Sequence, residues 1–172
     1  MIVEVVPPNP EWKTIYQMES TRILSAVEHV PLTLHHIGST SIPNIYAKPI
    51  IDMLGEVDEI TTMDEITDMW ECLGYEAMGE FGIPGRRYFR YTDERGIRKF
   101  HVHVFVSGSG ASRRHLAFRD YLRTHPDVAY EYSQLKIRLA NDHPESIDDY
   151  MDGKDEFIRI TQDKAVRWQA NA

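Results

Sequence analysis

The sequence predicts an α+β fold: a helix, then a mixed β-sheet, then a helical carboxy-terminal part. Three observations carry this expectation. Apolar residues recur at helical spacing between Glu11 and His29, runs of strand character follow between Leu32 and Val106, and the pattern turns helical again beyond Gly108-Ser109-Gly110. The 172 residues fit one domain, residues 1–172, with the helix-plus-sheet core over about 1–110 and the helical part over about 111–172.

Taken in order, Ile2 to Val6 reads as a short strand, and Pro7-Pro8-Asn9-Pro10 is irregular because proline fixes φ and removes a donor. Trp12, Ile15, Tyr16, Ile23, Leu24 and Val27 form the apolar face of the first helix, which Pro31 stops. Leu32 to Ile37 is a strand, Gly38-Ser39-Thr40-Ser41 a tight turn or helix start, and Pro49 to Leu54 a buried-type strand with Asp52 in its middle. Thr62 and Glu65 have the spacing of a capping box for a helix carrying Met63, Ile66, Met69, Trp70 and Leu73, ended by Gly74. Arg86 to Tyr91 and Ile97 to Val106 form a hairpin around a polar loop. Alternation in the second strand sends His101 and His103 to one face and the valines to the other. Ser112 is placed to cap a helix running to Thr124, Pro126 to open the next, which Pro144 ends, and Ser146 to cap the last. In that last helix Tyr150, Phe157, Ile158 and Val166 are the core candidates.

Composition narrows the function. With 42% hydrophobic and 27% charged residues the chain is a folded globular one rather than a disordered one. No apolar run approaches the roughly 18 residues of a membrane span, and the opening segment lacks the basic-then-apolar pattern of a signal peptide, so the expected setting is the cytoplasm. Cys72, the single cysteine, excludes an internal disulfide and reads as a small core residue. A net charge of −8 disfavours general nucleic-acid binding. Basic residues nevertheless cluster locally, at Arg86, Arg87 and Arg90, at Arg95, Arg98 and Lys99, and at Arg113 and Arg114. Such a surface suits a small anionic ligand such as a nucleotide, and solvated strand and helix faces are the plain alternative.

The chemistry-bearing stretch is His36-Ile37-Gly38-Ser39-Thr40-Ser41, followed by Ala47-Lys48-Pro49-Ile50-Ile51-Asp52. Gly38 lets backbone approach a ligand without a Cβ, and Ser39, Thr40 and Ser41 supply hydroxyl and N–H donors for phosphate. Asp52 sits in an apolar run, where an unpaired charge is costly, so it needs a cation, a lysine or an arginine beside it. Lys48 either neutralises Asp52 or contacts phosphate.

These residues resemble the GrpB-like family, which is related to the DNA polymerase β-type nucleotidyltransferase superfamily. The resemblance runs from Val6-Pro7 and Pro10-Glu11-Trp12, through HIGSTSIPNIYAKPIIDM and HVHVF, to RRHLAFRDYLRTHP and on to Tyr132, Leu135 and Lys136. It implies a nucleotidyltransferase-like sheet in which a Gly-Ser turn holds a triphosphate and strand-borne carboxylates hold divalent ions, Mg²⁺ or Mn²⁺, that align the reacting groups. Gly38 and Ser39 match the turn and Asp52 the first carboxylate. The second carboxylate should stand at position 54, and that residue is Leu54. Glu56, on the same strand face, lies roughly 6–7 Å further along and would coordinate only if the strand bends. His101 and His103 take the place of the third ligand, a change that suits Mn²⁺ or Zn²⁺ better than Mg²⁺.

Three readings follow. The first is metal-dependent nucleotidyl or phosphoryl transfer, with Asp52, His101 and His103 at the centre and Glu56 as a further ligand. Gly38, Ser39, Thr40, Lys48, Arg86, Arg87 and Arg113 would hold phosphate in that reading. The second is a non-catalytic module that keeps a nucleotide- or coenzyme A-shaped cleft. The third is a histidine-based metallohydrolase acting on a phosphate ester, although Phe105 stands where a histidine triad would need its third histidine. His115 and Arg119 share a helix face, and Arg119 with Asp120 reads as a surface pair. Family members fused to dephospho-coenzyme A kinase point to nucleotide or coenzyme A metabolism, but the chain has no Gly-x4-Gly-Lys-Ser/Thr loop and is not itself such a kinase.

Overall fold

The computed structural model describes residues 2–171. Strands β1 (Thr33–Ile37), β2 (Ile51–Val57), β3 (Tyr75–Ala77), β4 (Arg87–Thr92) and β5 (Arg98–Val106) form one mixed sheet in the order β1-β2-β5-β4-β3. The β2–β5 pair is parallel and the other three pairs are antiparallel. Helices α1 (Trp12–Ala26), α2 (Thr61–Glu65) and α3 (Thr67–Cys72) precede the hairpin, and α4 (Gly110–Thr124), α5 (Pro126–Asp142) and α6 (Ile147–Ala170) follow the sheet. None of the described helices is long and apolar enough to cross a membrane. The α+β expectation holds.

Side-chain alternation divides the sheet into two chemistries. Ile51, Met53 and Val57 of β2, Phe89 of β4 and Val102 and Val104 of β5 face the main core with Trp12 and Ile23 of α1, Val27 just after it, Met63 of α2 and Trp70 of α3. On the opposite face Leu54 and Phe105 meet Ile37, with Ala111 and Leu116 of α4 packed against them. Asp52, His101 and His103 share this second face. Beyond it, α4, α5 and α6 build their own apolar contacts through Leu122, Ala129 and Tyr132, with Phe157 and Ile158 packed on them.

Several local expectations change. Residues 2–6 form no strand: Val6 makes only an isolated antiparallel bridge to Ala47, and the Val3 N–H donates to the Pro144 carbonyl at 2.8 Å. β2 begins at Ile51 rather than Pro49, because Pro49 has no N–H and the Ile50 N–H turns back to the Lys48 carbonyl. Thr62 caps nothing, since the helix already begins at Thr61 and a break at Ile66 (φ −112°, ψ 20°) separates α2 from α3. The short strand β3 lies outside the sequence expectation. Cys72 is exposed, not a core residue, as are Ile15 and Val166. The cap of α4 is Ser109, whose hydroxyl accepts from the Ser112 N–H, so Ser112 lies inside the first turn. Pro126 does open α5, and Ser146 does cap α6 through the Asp149 N–H.

Gly153 fixes how closely α6 can approach α5. A Cβ at that position would collide with the side chain of Leu139. Gly153→Val therefore forces the two helices apart and is expected to cost about 1–3 kcal/mol. Urea denaturation checks this as a lowered midpoint at unchanged m-value.

Candidate functional site

The site starts from register. Parallel pairing sets Asp52 of β2 opposite His101 and Leu54 opposite His103, while antiparallel pairing sets Ile37 opposite Asp52. Chain direction then delivers Gly38 directly beside the carboxylate. Gly38 has φ 73°, a left-handed value that favours glycine, and a Cβ there would lie 2.8 Å from Asp52 Oδ2. The three residues that follow, Ser39–Ser41, make a single 3-10 turn rather than the start of a longer helix, closed by Ser41 N–H and Ile42 N–H onto the Gly38 and Ser39 carbonyls.

Asp52 Oδ1 is met by two imidazoles, His101 Nδ1 at 3.4 Å and His103 Nε2 at 3.3 Å. Burial alone would raise the carboxyl pKa, but hydrogen bonds from His101 and His103 outweigh it and hold the group well below the usual carboxylate range. Arg86 stands behind His103, with Nη1 3.2 Å from Nδ1, and Arg98 stands behind His101, with Nη1 3.3 Å from Nε2. Tyr88 packs against both imidazoles, and His115 of α4 lies over His103 with ring centroids 6.0 Å apart. Burial lowers the His115 pKa to about 4.

In front of Asp52 opens a cavity of about 240 Å³ lined by Gly38, Ser39, Asp52, His101 and His103 from the sheet side. Lys48, Tyr132, Lys136, Tyr150 and Lys154 close it from the other side. Lys136 is 1% exposed, and its Nζ has no hydrogen-bond partner among the described residues; the Tyr150 hydroxyl has none either. The ammonium groups rest on aromatic faces, Lys136 over Tyr132 at 4.5 Å and Lys154 over Tyr150 at 4.8 Å from the ring centroids. Burial, reinforced by Lys154 and Lys48, lowers the Lys136 pKa to about 6. Burial and Lys48 lower that of Lys154 to about 8. Burial lowers the Lys48 pKa as well, while Asp52 pulls it back up.

The predicted site residues thus separate. Gly38, Ser39, Lys48, Asp52, His101 and His103 line this cavity, and Arg86 adjoins it through His103. Arg87 does not join, because alternation along β4 sends it to the other face, where it holds Asp64 through Nε at 2.7 Å. Arg113 is exposed on α4 and does not line the cavity. Glu56 is engaged by His35 Nε2 at 2.7 Å and by the Ser112 hydroxyl at 2.6 Å, so the bend needed to bring it to Asp52 is absent. Thr40 faces a different, larger cavity of about 770 Å³, shared with Trp12, Tyr16, His36, Asn44 and Arg123. No carboxylate lines that cavity among the described residues, whereas Asp52 lines the smaller one.

Asp52, His101 and His103 bring ligand atoms within 4.8 Å of one another. One carboxylate and two imidazoles are not the oxygen set that Mg²⁺ takes, and Leu54, 0% exposed, fills the place of a second acid. Lys154 and the cavity role of Lys136 escaped the sequence reading. A signal exists nonetheless: Tyr132 with Lys136 and Tyr150 with Lys154 repeat a Tyr-x-x-x-Lys spacing that stacks aromatic and ammonium on one helix face.

Comparison with known proteins places the fold and the family. The fold is nucleotidyltransferase-like: the Cid1 poly(U) polymerase bound to MgGTP superposes with a TM-score of 0.55 at 9% identity, over 78% of this chain and 43% of that one. The polymerase core of TRAMP, an RNA surveillance complex, superposes with a TM-score of 0.51 at 15% identity, over 84% of this chain and 48% of that one. Within that class the chain belongs to the GrpB family, described as "GrpB protein", which matches residues 2–164. The crystal structure of the conserved protein GrpB from Enterococcus faecalis superposes with a TM-score of 0.90 at 42% identity, over 96% of this chain and 99% of that one. UPF0157 protein YqkA of Bacillus subtilis (strain 168) is 45% identical over 167 residues, which are 97% of this chain and 48% of that protein. The chain therefore spans about half the length of that relative. A dephospho-CoA kinase of Mycolicibacterium paratuberculosis is 26% identical over 96% of this chain and 46% of its own length.

Gly38→Ala puts a methyl group onto Asp52 Oδ2 at a backbone conformation disfavoured for alanine. The expected loss of stability is about 1–3 kcal/mol, read from chemical denaturation of the two proteins side by side.

Proposed function

We propose that this protein binds the phosphate end of a nucleotide-type anion between the Gly38-Ser39 turn and the lysines of α5 and α6. One observation carries the reading: the Lys136 ammonium is buried beside the cavity with no hydrogen-bond partner among the described residues. A buried ammonium without a counter-ion is costly, and a cavity that also gathers Lys48 and Lys154 supplies the place where an anion would offset that cost. At about 240 Å³ the space is smaller than the roughly 300–1,000 Å³ that whole small molecules occupy, so it suits a phosphate group with the rest of the ligand outside. Nucleotide is the favoured class because the fold resembles that of proteins solved with MgGTP and other nucleotides. The setting expected for such a ligand is the cytoplasm.

A second reading, transfer of a nucleotidyl or phosphoryl group to an acceptor, is favoured by the Gly38-Ser39 turn lying against Asp52. In it, Asp52, His101 and His103 would hold Mn²⁺ or Zn²⁺, which requires the imidazole lone pairs to face the ion. Release of pyrophosphate from a nucleoside triphosphate in the presence of Mn²⁺, lost on Asp52→Asn, is the outcome this reading requires.

Two measurements test the binding reading. Lys136→Met removes an amine whose burial disfavours its proton and is expected to stabilise the free protein by about 1–2 kcal/mol, while weakening sulfate binding at least about tenfold. A variant that binds sulfate normally would refute the proposal. Sulfate remains a dianion across neutral pH, so its affinity reports the lysines. Binding favours protonated Lys136, so affinity is expected to fall by up to about tenfold per pH unit as pH rises above the group's pKa of about 6. The stability of the free protein should move the opposite way. Between about 6 and the ordinary 10.5 the unfolded chain holds the Lys136 proton and the folded one does not, so this contribution rises with pH. Calorimetric titration and thermal melts at several pH values check both signs.

A further inference from the structure

His101 and His103 stand between a carboxylate and a guanidinium, and that order fixes which ring nitrogen carries hydrogen. A guanidinium has donors and no acceptor. The nitrogen facing it must therefore present its lone pair: Nδ1 of His103 toward Arg86 Nη1 at 3.2 Å, and Nε2 of His101 toward Arg98 Nη1 at 3.3 Å. The hydrogen then sits on the opposite nitrogen of each ring: His103 Nε2, which donates to Asp52 Oδ1 at 3.3 Å, and His101 Nδ1, which lies 3.4 Å from the same oxygen. A histidine that ligates a metal shows the reverse arrangement, with its lone pair on the ion and its outer N–H donated to a carboxylate, a carbonyl or water.

We propose that Arg86 and Arg98 are positioning residues that lock both histidines as donors to Asp52, and that the site takes its anion without a divalent cation. The proposal rests on the phosphate-binding reading for its ligand and on the guanidinium–imidazole geometry for its mechanism. Three further features agree with it. Arg86 is 8% exposed and is anchored by the Glu80 carbonyl at Nε and the Phe81 carbonyl at Nη2, so the side chain is held in place. Asp52 Oδ2 lies so close to Gly38 that a Cβ there would stand 2.8 Å from it. Leu54 is packed between Ile37 and Phe105 where a second acid would stand. The positive charge that a metal would bring to phosphate comes instead from Lys48, Lys136 and Lys154. The ligand class is thus a free phosphate-bearing anion rather than its metal complex.

Nitrogen-15 spectra of the imidazoles in the unaltered protein read the hydrogens directly. The expected result is hydrogen on Nε2 of His103 and on Nδ1 of His101; hydrogen on Nδ1 of His103 overturns the proposal. Equilibrium dialysis with Mn²⁺ and with Zn²⁺ should show no site in the unaltered protein that Asp52→Asn removes, and micromolar binding that it does remove overturns the proposal. The double variant Arg86→Met/Arg98→Met frees the rings to turn their lone pairs inward. It should gain at least about tenfold in Zn²⁺ affinity, and adding His103→Ala should abolish the gain. No gain in a folded double variant refutes the arginines as the cause. Sulfate titrated in EDTA and again in Mn²⁺ separates the two readings. Equal affinity supports both, and binding in Mn²⁺ alone overturns this one. No binding in either overturns the phosphate-binding reading and leaves the spectroscopic result standing.

Discussion

The parallel pairing of β2 with β5 is the constraint from which the rest follows. It aligns an acid in the middle of one strand with two alternate histidines on the next, all on the sheet face turned away from the main core. The antiparallel partner β1 then ends level with Asp52, so the chain must turn there, and only a residue without a Cβ fits against the carboxylate. Chemistry and topology are coupled at one point: a register slip of one residue would move Asp52 into the apolar layer and Met53 into the cleft.

The helical part walls one side of that acid-bearing face and makes it a cleft. Cations come from three segments far apart in sequence, the loop before β2 and helices α5 and α6, and each is seated against a tyrosine ring or buried behind one. The aromatic faces give the ammonium groups a partial partner while leaving their hydrogens unspent. The cleft is consequently lined with cations on its helical side and shaped by packing. The closeness of α5 and α6 at Gly153 and Leu139 is what brings the lysine walls together.

Much of this was legible in the sequence, and the missing parts share one cause. Alternation along Phe100 to Phe105 placed the histidines and valines correctly, and the Gly38-Ser39 to Asp52 spacing located the turn and the acid. Proline and serine signals marked the start of α5 and the cap of α6. What could not be read was which charged side chains end up without partners. Arg86 and Arg87 are neighbours with identical chemistry, and only the facing of β4 sends one to His103 and the other to Asp64. Glu56 has the right parity to serve Asp52, but its partners His35 and Ser112 come from β1 and α4. Lys154 sits among Asp152, Asp155 and Glu156 and looks like an ordinary surface cation until helix packing buries it.

The amino-terminal segment acts as a strap. Val3 is tied by its N–H to the Pro144 carbonyl at the joint between α5 and α6, and Val6 is bridged to Ala47, one residue before Lys48. Val3 also packs with Leu139 and Tyr150 beneath the lysine-bearing helices. These first residues therefore contact segments that carry two walls of the cleft. A purification tag or fused domain attached ahead of them adjoins contacts made to two walls of the cleft, whereas one attached beyond α6 does not touch that strap.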